Sequence, residues 1–283
     1  MDNKKVLNEI IKAKKKNSYK ENKTIDQLRK ETETAGSLIP LPNNTKIKKI
    51  LAGNVKAEWI TCGEVNNDKI YMFMHGGGYY RGSIASTRAT IARISAEAKV
   101  RCFSIDYRLA PEHIFPAAID DTYSAYDWLL REGIKPKNII VSGQSAGGGL
   151  CLALLLKIKQ NKGSQPIGAV ALSPWTDLSQ SGKSMITNAH IDPVISKEYL
   201  DRFANLYLSG TSNKSDLASP LYGDLSGLTD LLIQVGSAET MLDDSRRFFA
   251  KAKKENVNVK IEIWKDMFHG WHGSAHILND AKE

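Results

Sequence analysis

The sequence predicts an α/β fold: a mostly parallel central sheet with helices on both faces and a small helical cap. From about residue 47 onward, short apolar runs rich in Ile, Val, Tyr and Phe alternate with longer helical patterns. The runs are apolar along nearly their whole length, as strands covered on both faces are. The segments between them are long enough for the crossovers that parallel pairing requires. Residues 1–45 differ, with helix-spaced apolar positions only and an end at Pro40 and Pro42. We divide the chain into an N-terminal helical cap segment, 1–45, and a main α/β domain, 46–283, to which 176–218 contributes part of a lid.

In the cap segment, Val6, Ile10 and Ile11 and then Ile25 and Leu28 predict two short helices. Asn17–Ser18 and Asn22–Lys23 break the pattern, and Ala35–Gly36 and the prolines stop it. Ile47–Leu51 and Val55–Thr61 read as adjacent strands around a Gly53–Asn54 turn. Ile70–Met74 is a strand that ends at His75, and Ile84, Ile91 and Ile94 then share one helix face. Val100–Ile105 is the next strand. Pro116, suited to a first helical turn, opens a helix whose expected buried face is Ile119, Tyr123, Tyr126 and Leu130. The strand Ile139–Val141 leads into Gly143-Gln144-Ser145-Ala146-Gly147. Leu150 to Ile158 is apolar nearly all round, the pattern of a buried helix. Strands at Ala169–Leu172, Leu231–Val235 and Val259–Ile263 follow, separated by helical patterns at about 196–208 and 243–255. The stretch 176–218, rich in Ser, Asn, Thr and Gly, is the lid candidate.

At 283 residues, with 42% hydrophobic and 25% charged residues, the chain has the composition of a folded domain with a sizeable core. Its net charge of +8 is uneven: residues 1–50 carry 13 Lys/Arg against 6 Asp/Glu, and the remainder 26 against 25. The basic balance therefore belongs to the cap segment. That segment has few aromatics and no compact Arg cluster, so it reads as a solvated helical face and not as a site for anionic lipid or nucleic acid. Cys62, Cys102 and Cys151 have no paired spacing and suit free thiols in a reducing compartment. The polar start lacks a signal-peptide pattern, and the longest apolar run, Leu150–Leu156, is too short to insert stably in a bilayer. These features predict a cytoplasmic protein that takes a small-molecule partner; a homodimer stays open.

Gly143-Gln144-Ser145-Ala146-Gly147 has the form G-x-S-x-G between an apolar strand and a buried helix. A sharp strand-to-helix turn of this kind lifts a hydroxyl clear of the sheet, and small flanking residues let the backbone pass closely. The alternative is a plain Gly/Ser loop; a phosphate-cradling turn lacks its Gly-Lys-Ser/Thr here. His75-Gly76-Gly77-Gly78 follows an earlier strand. Consecutive glycines can turn backbone N–H groups toward a developing oxyanion, and we assign Gly76, Gly77 and Ala146 as those donors. A flexible glycine turn is the alternative. His75 suits an orienting hydrogen bond better than proton transfer.

A serine needs a base, and on such an elbow the partners follow in the order acid, then histidine. His269 lies in a loop directly after the strand Val259–Ile263, from which it can reach across the carboxyl edge of the sheet. His272 and His276, spaced i, i+4, read as surface residues of a terminal helix; a metal pair is the alternative, but no nearby carboxylate–His pattern supports it. His190 lies in the lid. Glu239 is the first carboxylate after Leu231–Val235 and is our acid; Asp243 is the runner-up, with Asp243 and Asp244 otherwise first-turn helix charges. No cofactor and no metal is implied.

With these pieces in place, the sequence resembles the hormone-sensitive-lipase-like branch of the α/β-hydrolases, the bacterial family IV carboxylesterases, over about residues 45–280. The likeness rests on His75-Gly76-Gly77-Gly78, Asp106-Tyr107-Arg108-Leu109-Ala110-Pro111-Glu112, Gly143-Gln144-Ser145-Ala146-Gly147-Gly148, Ser173-Pro174-Trp175-Thr176-Asp177-Leu178 and Met267-Phe268-His269. The resemblance implies an α/β-hydrolase fold and a carboxylesterase with Ser145, Glu239 and His269 as catalytic residues. It also implies that 1–45 caps the pocket and sets substrate size, and that Arg108 and Glu112 are structural. Relatives that share the Ser-Pro-Trp-Thr-Asp-Leu segment hint at lactones, and a deep pocket under a small cap favours short acyl chains. Gln144 departs from the family, where the residue before the nucleophile is commonly acidic. Two other readings use the same scaffold: an amidase or deacetylase with the same residues, and a non-catalytic small-ligand receptor like the plant gibberellin receptors, which lack a working triad.

Overall fold

The computed structural model describes residues 3–16 and 23–283. Two helices, α1 (Asn3–Lys16) and α2 (Ile25–Ser37), precede the sheet. The expected breaks at Asn17–Ser18 and Asn22 lie outside the described residues. At the start of α2 the Thr24 hydroxyl accepts the Gln27 N–H while the Gln27 side chain accepts the Thr24 N–H, satisfying two otherwise orphan donors.

β1 (Thr45–Ala52) and β2 (Val55–Cys62) form an antiparallel hairpin closed by the two-residue turn at Gly53–Asn54. The alternating units follow: β3 (Asn66–Met74), α3 (Ile84–Ala98), β4 (Val100–Asp106), α4 (Ala117–Arg131), β5 (Ile139–Gln144), α5 (Ala146–Gln160) and β6 (Gly168–Leu172). After them come α6 (Ser184–Thr187), α7 (Lys197–Leu208), β7 (Asp230–Gly236), α8 (Leu242–Lys254), β8 (Val259–Trp264) and α9 (Asn279–Lys282). The spatial order is β1-β2-β4-β3-β5-β6-β7-β8, with β2 antiparallel to β4 and every later pairing parallel.

This order positions the site. The chain runs from β3 to β4 on one side and then crosses back to place β5 on the other. β3 and β5 are therefore neighbours whose outgoing loops diverge, the switch point where parallel sheets open a crevice. Met74 pairs with Gly143, so the glycine run after β3 and the turn after β5 leave the sheet side by side.

α5 owes its place to its sequence: Leu150, Cys151, Leu152, Leu154, Leu155, Leu156 and Ile158 are all buried, each large side chain contributing roughly 1.5–3 kcal/mol by leaving water. α3 packs Ile84, Ile91 and Ala92 on the opposite face against Ile60, Phe73 and Cys102. α4 is rotated slightly from the expected face. Ala118, Ile119, Thr122, Ala125, Tyr126 and Leu129 are buried, and Tyr123 and Leu130 only half so, because small Ala and Thr let the helix approach α5 closely. Cys62, Cys102 and Cys151 are buried free thiols. Among the described residues, no helix is long and apolar enough to cross a membrane.

The N-terminal helices pack on the domain at different places. Leu28 of α2 joins the main core, while Leu7 of α1 packs with Met267, Phe268, Trp271 and Leu278. Arg29 ties α2 down: Nε donates to Tyr80 O (2.7 Å), Nη2 to Ala110 O (2.9 Å), and the guanidinium forks onto Glu112 at 2.7 Å.

Candidate active site

The loops after β3, β5, β7 and β8 bring the predicted residues to one edge of the sheet. Ser145 sits at the tip of the β5–α5 turn with φ 59° and ψ −121°, a backbone region that costs a non-glycine residue about 1–3 kcal/mol. The surroundings impose it. Ser145 N–H donates to Leu172 O (2.9 Å), and its carbonyl accepts from Gly149 and Trp175 (3.0 Å each). The flanking glycines are required by space: a Cβ on Gly143 would lie 2.1 Å from Gly147 O, and one on Gly147 2.1 Å from Met74 O.

Gly76 stands against the elbow, with its would-be Cβ 3.3 Å from Ser145 Cβ. Gly77 adopts φ 125°, and a side chain there would strike Arg81 O at 2.2 Å. Ala146 opens α5, where first-turn N–H groups have no helical acceptor. Among the described residues, nothing in the chain accepts a hydrogen bond from the N–H groups of Gly76, Gly77 or Ala146. Three donors thus remain free around Ser145.

His75 supports this loop. Its Nδ1 donates to Gly76 O (2.8 Å), its ring stacks on Tyr107 at 4.2 Å, and Tyr107 donates its hydroxyl to His75 O (2.8 Å). Burial pushes the His75 imidazole below its ordinary pKa, as suits a neutral hydrogen-bonding group. Gly78, at φ 62°, packs on the Tyr80 ring.

His269 and Glu239 meet across the β7 and β8 loops: His269 Nδ1 lies 2.8 Å from Glu239 Oε2. A carboxylate only accepts, so Nδ1 carries the proton, and in the neutral ring the lone pair then sits on Nε2. Glu239 is fully buried; its Oε1 accepts Gly236 N–H (2.6 Å) and the Ser173 hydroxyl (2.7 Å). The His269 loop abuts the elbow, since a Cβ on Gly270 would lie 2.2 Å from Gln144 Nε2. Gln144 therefore packs between the elbow and the base loop. No hydrogen bond joins Ser145 Oγ to His269 among the described residues; such contacts commonly tighten only around bound substrate.

The remaining candidates fall elsewhere. Asp243 accepts Ser184 N–H (3.0 Å) and Asp244 the N–H groups of Thr176 and Asp177, both away from His269. His190 is exposed. His272 departs from the surface reading: it lies on a 3₁₀ turn (Trp271–Ser274), not on a terminal helix. Its ring packs 3.6 Å from Trp271, and both nitrogens are buried without partners. Arg108 pairs with Asp121 and Glu112 with Arg29, both structural contacts.

Sequence reasoning assigned no role to Ser173, though it opens the quoted Ser-Pro-Trp-Thr-Asp-Leu segment. Only the β6–β7 pairing, with Ser173 N–H on Gln234 O (2.7 Å), brings its hydroxyl to Glu239. Asn188 and Asp192 were also missed. Asn188 donates to the carbonyls of Ser237 and Glu239, and Asp192 accepts from Thr240 N–H (2.8 Å) and its hydroxyl, anchoring the lid candidate to the acid loop.

A family model described as α/β hydrolase fold matches residues 71–273, which include all of these loops. This chain belongs to the α/β-hydrolase family. The hydrolase is 36% identical over 233 residues to an acetyl-hydrolase of Streptomyces hygroscopicus, covering 82% of this chain and 78% of that one. It is equally identical over 245 residues to an esterase of Acinetobacter venetianus, with 84% and 80% covered. Its structure matches that of an esterase of the bacterial hormone-sensitive lipase family with a TM-score of 0.95 at 40% identity, covering 98% and 93% of the two chains. It also matches EstE5, solved after a soak with p-nitrophenyl butyrate, with a TM-score of 0.94 at 35% identity, covering 98% and 94%. The hydrolase is thus a member of the hormone-sensitive-lipase-like branch.

Proposed function

We propose that this hydrolase cleaves small carboxylic esters through an acyl-enzyme, with Ser145 as nucleophile, His269 as general base and Glu239 as the orienting acid. The observation that carries the reading is the buried 2.8 Å contact between His269 Nδ1 and Glu239 Oε2, on a loop that abuts the strained Ser145 elbow. His269 Nε2 takes the Ser145 proton as Oγ attacks the ester carbonyl, and the N–H groups of Gly76, Gly77 and Ala146 receive the oxyanion. His269 then protonates the departing alcohol, and water repeats the sequence on the acyl group. The relatives' names, acetyl-hydrolase and esterase, support the same substrate class.

Residues 1–45 and 176–218 act as cap and lid in this reading. Aromatic stacking fills the space beyond the glycine run: Tyr79 lies on Tyr207 at 3.9 Å and Tyr80 on Phe203 at 3.5 Å. Such filling favours short acyl chains and compact lactones over long chains.

Hydrolysis of p-nitrophenyl butyrate by the wild type and by Ser145→Ala tests the proposal. Turnover should be readily measured in the first and fall by about a thousandfold or more in the second. Equal rates in the two proteins would overturn the mechanism. A series of p-nitrophenyl esters that peaks beyond about twelve carbons, too long for a pocket of ordinary size, would overturn the short-chain assignment.

A further inference from the structure

We infer that the cleft selects esters bearing a carboxylate, recognised by Arg81 and Lys14 from its two flanks; this rests on the esterase reading above. Arg81 follows the glycine run, and its Cγ lies 3.1 Å from where a Cβ on Gly77 would be, so its side chain starts beside one oxyanion donor. Its guanidinium carbon stands 5.4 Å from the Tyr80 ring centroid and 5.6 Å from that of Tyr199. On the other flank, Lys14 of α1 holds Nζ 5.0 Å from the centroid of Phe268, the residue before His269. One cation therefore borders the oxyanion loop and the other the base loop.

Neither cation forms an ion pair among the described residues, although Arg81 hydrogen-bonds the Tyr199 side chain. The carboxylates whose charge reaches them are already engaged. Glu31, which acts on Arg81, pairs with Lys23 at 2.6 Å. Asp192, which acts on Lys14, accepts from the N–H groups of Val194, Ile195 and Thr240 and from the Thr240 hydroxyl. Burial, and after it the charge of Arg81, pushes the Lys14 ammonium below the ordinary lysine range, as happens when a partly desolvated cation lacks a counter-ion. A substrate carboxylate supplies that counter-ion, and the flat guanidinium fork of Arg81 suits it. Tyr80 and Tyr199 beside Arg81, and Phe268 beside Lys14, limit competition from water.

The test compares kcat/KM by pH-stat for charged and neutral esters of equal length. Monomethyl glutarate and monomethyl adipate against methyl pentanoate and methyl hexanoate probe the acyl side; O-acetylglycolate against ethyl acetate probes the alcohol side. At least one arm should favour the anionic ester by about tenfold or more at low ionic strength, and the preference should shrink as salt is raised toward about 0.5 M. Arg81→Met and Lys14→Met should each reduce the anionic-to-neutral ratio by about fivefold or more, and Arg81→Lys and Lys14→Arg should largely retain it. If one methionine variant fails to fold, the other still reads the ratio. Neutral esters favoured in both arms, or a ratio that survives both methionine substitutions, overturns the inference. Wild-type turnover of p-nitrophenyl butyrate that is lost in Ser145→Ala, with no anionic preference, would sink this inference alone; no turnover of any ester would sink the esterase reading with it.

Discussion

Glu239 holds His269 through one carboxylate oxygen and is itself held through the other. Oε2 lies 2.8 Å from His269 Nδ1, while Oε1 takes the Gly236 N–H at 2.6 Å and the Ser173 hydroxyl at 2.7 Å. A buried charge with donors on both oxygens cannot rotate away from the ring it orients, so the tautomer and tilt of His269 follow from the β7 loop. In the proposed mechanism, Glu239→Gln keeps the shape but removes the charge that stabilises the imidazolium. We expect kcat on p-nitrophenyl butyrate to fall by roughly 10³-fold with KM changed only a few-fold. A variant that keeps a tenth or more of wild-type kcat would reassign the acid.

Ser173→Ala removes one donor from Glu239 and leaves the other. A hydrogen bond to a charged group is worth about 1.5–3 kcal/mol, so kcat should drop by roughly ten- to a hundredfold while KM stays near the wild-type value. Steady-state kinetics with a parallel thermal melt separates this from a general loss of folded protein.

Arg29 fastens α2 to two carbonyls on the domain, Tyr80 O and Ala110 O, and to Glu112. The Glu112 pair is half-exposed and adds little by itself; the carbonyl contacts are the stronger tie. Arg29→Met should lower stability by about 1–3 kcal/mol, speed amide exchange in α2 and raise KM. Arg29→Lys should recover little, because an ammonium cannot span the same acceptors. Exchange in α2 unchanged from wild type would show that α2 is held elsewhere.

Asp177 and Asp244 share a buried site with one cation, Arg247, whose Nη1 lies 2.7 Å from Asp177 Oδ2. Burial opposes the Asp177 charge, but hydrogen bonds from Ser179, Ser181 and Arg247 outweigh it and hold the group at about 2. Burial, and then the Asp177 charge, pushes Asp244 up to about 8. The folded pKa of Asp244 lies above its unfolded value, so its contribution to stability is complete below about pH 4 and is lost as pH rises through 8. Asp244→Asn keeps an oxygen for the Thr176 and Asp177 N–H groups and removes the titration. The fall in melting temperature between about pH 4 and 8 should therefore flatten in the variant. An unchanged slope would place the alkaline sensitivity in another group.

The sequence by itself determined the alternation of strands and helices, the elbow at Ser145 and the glycine run at His75–Gly78. Each is written in consecutive residues whose periodicity or chain geometry acts locally. The meeting of Glu239 with His269 is legible too, because each is a chemically suitable side chain in the first loop after an apolar run. Tertiary structure alone decided what depends on strand order. Ser173 reaches Glu239 because β6 pairs with β7, and Gly270 packs on Gln144 because the loop after β8 crosses back over the sheet edge to the turn after β5. His272 shows the limit of spacing arguments: its i, i+4 relation to His276 suggests a wet helix face, whereas packing on Trp271 buries its nitrogens. Periodicity reports how a segment would divide itself between water and core, but which partner covers it is set by contacts between residues far apart in the chain.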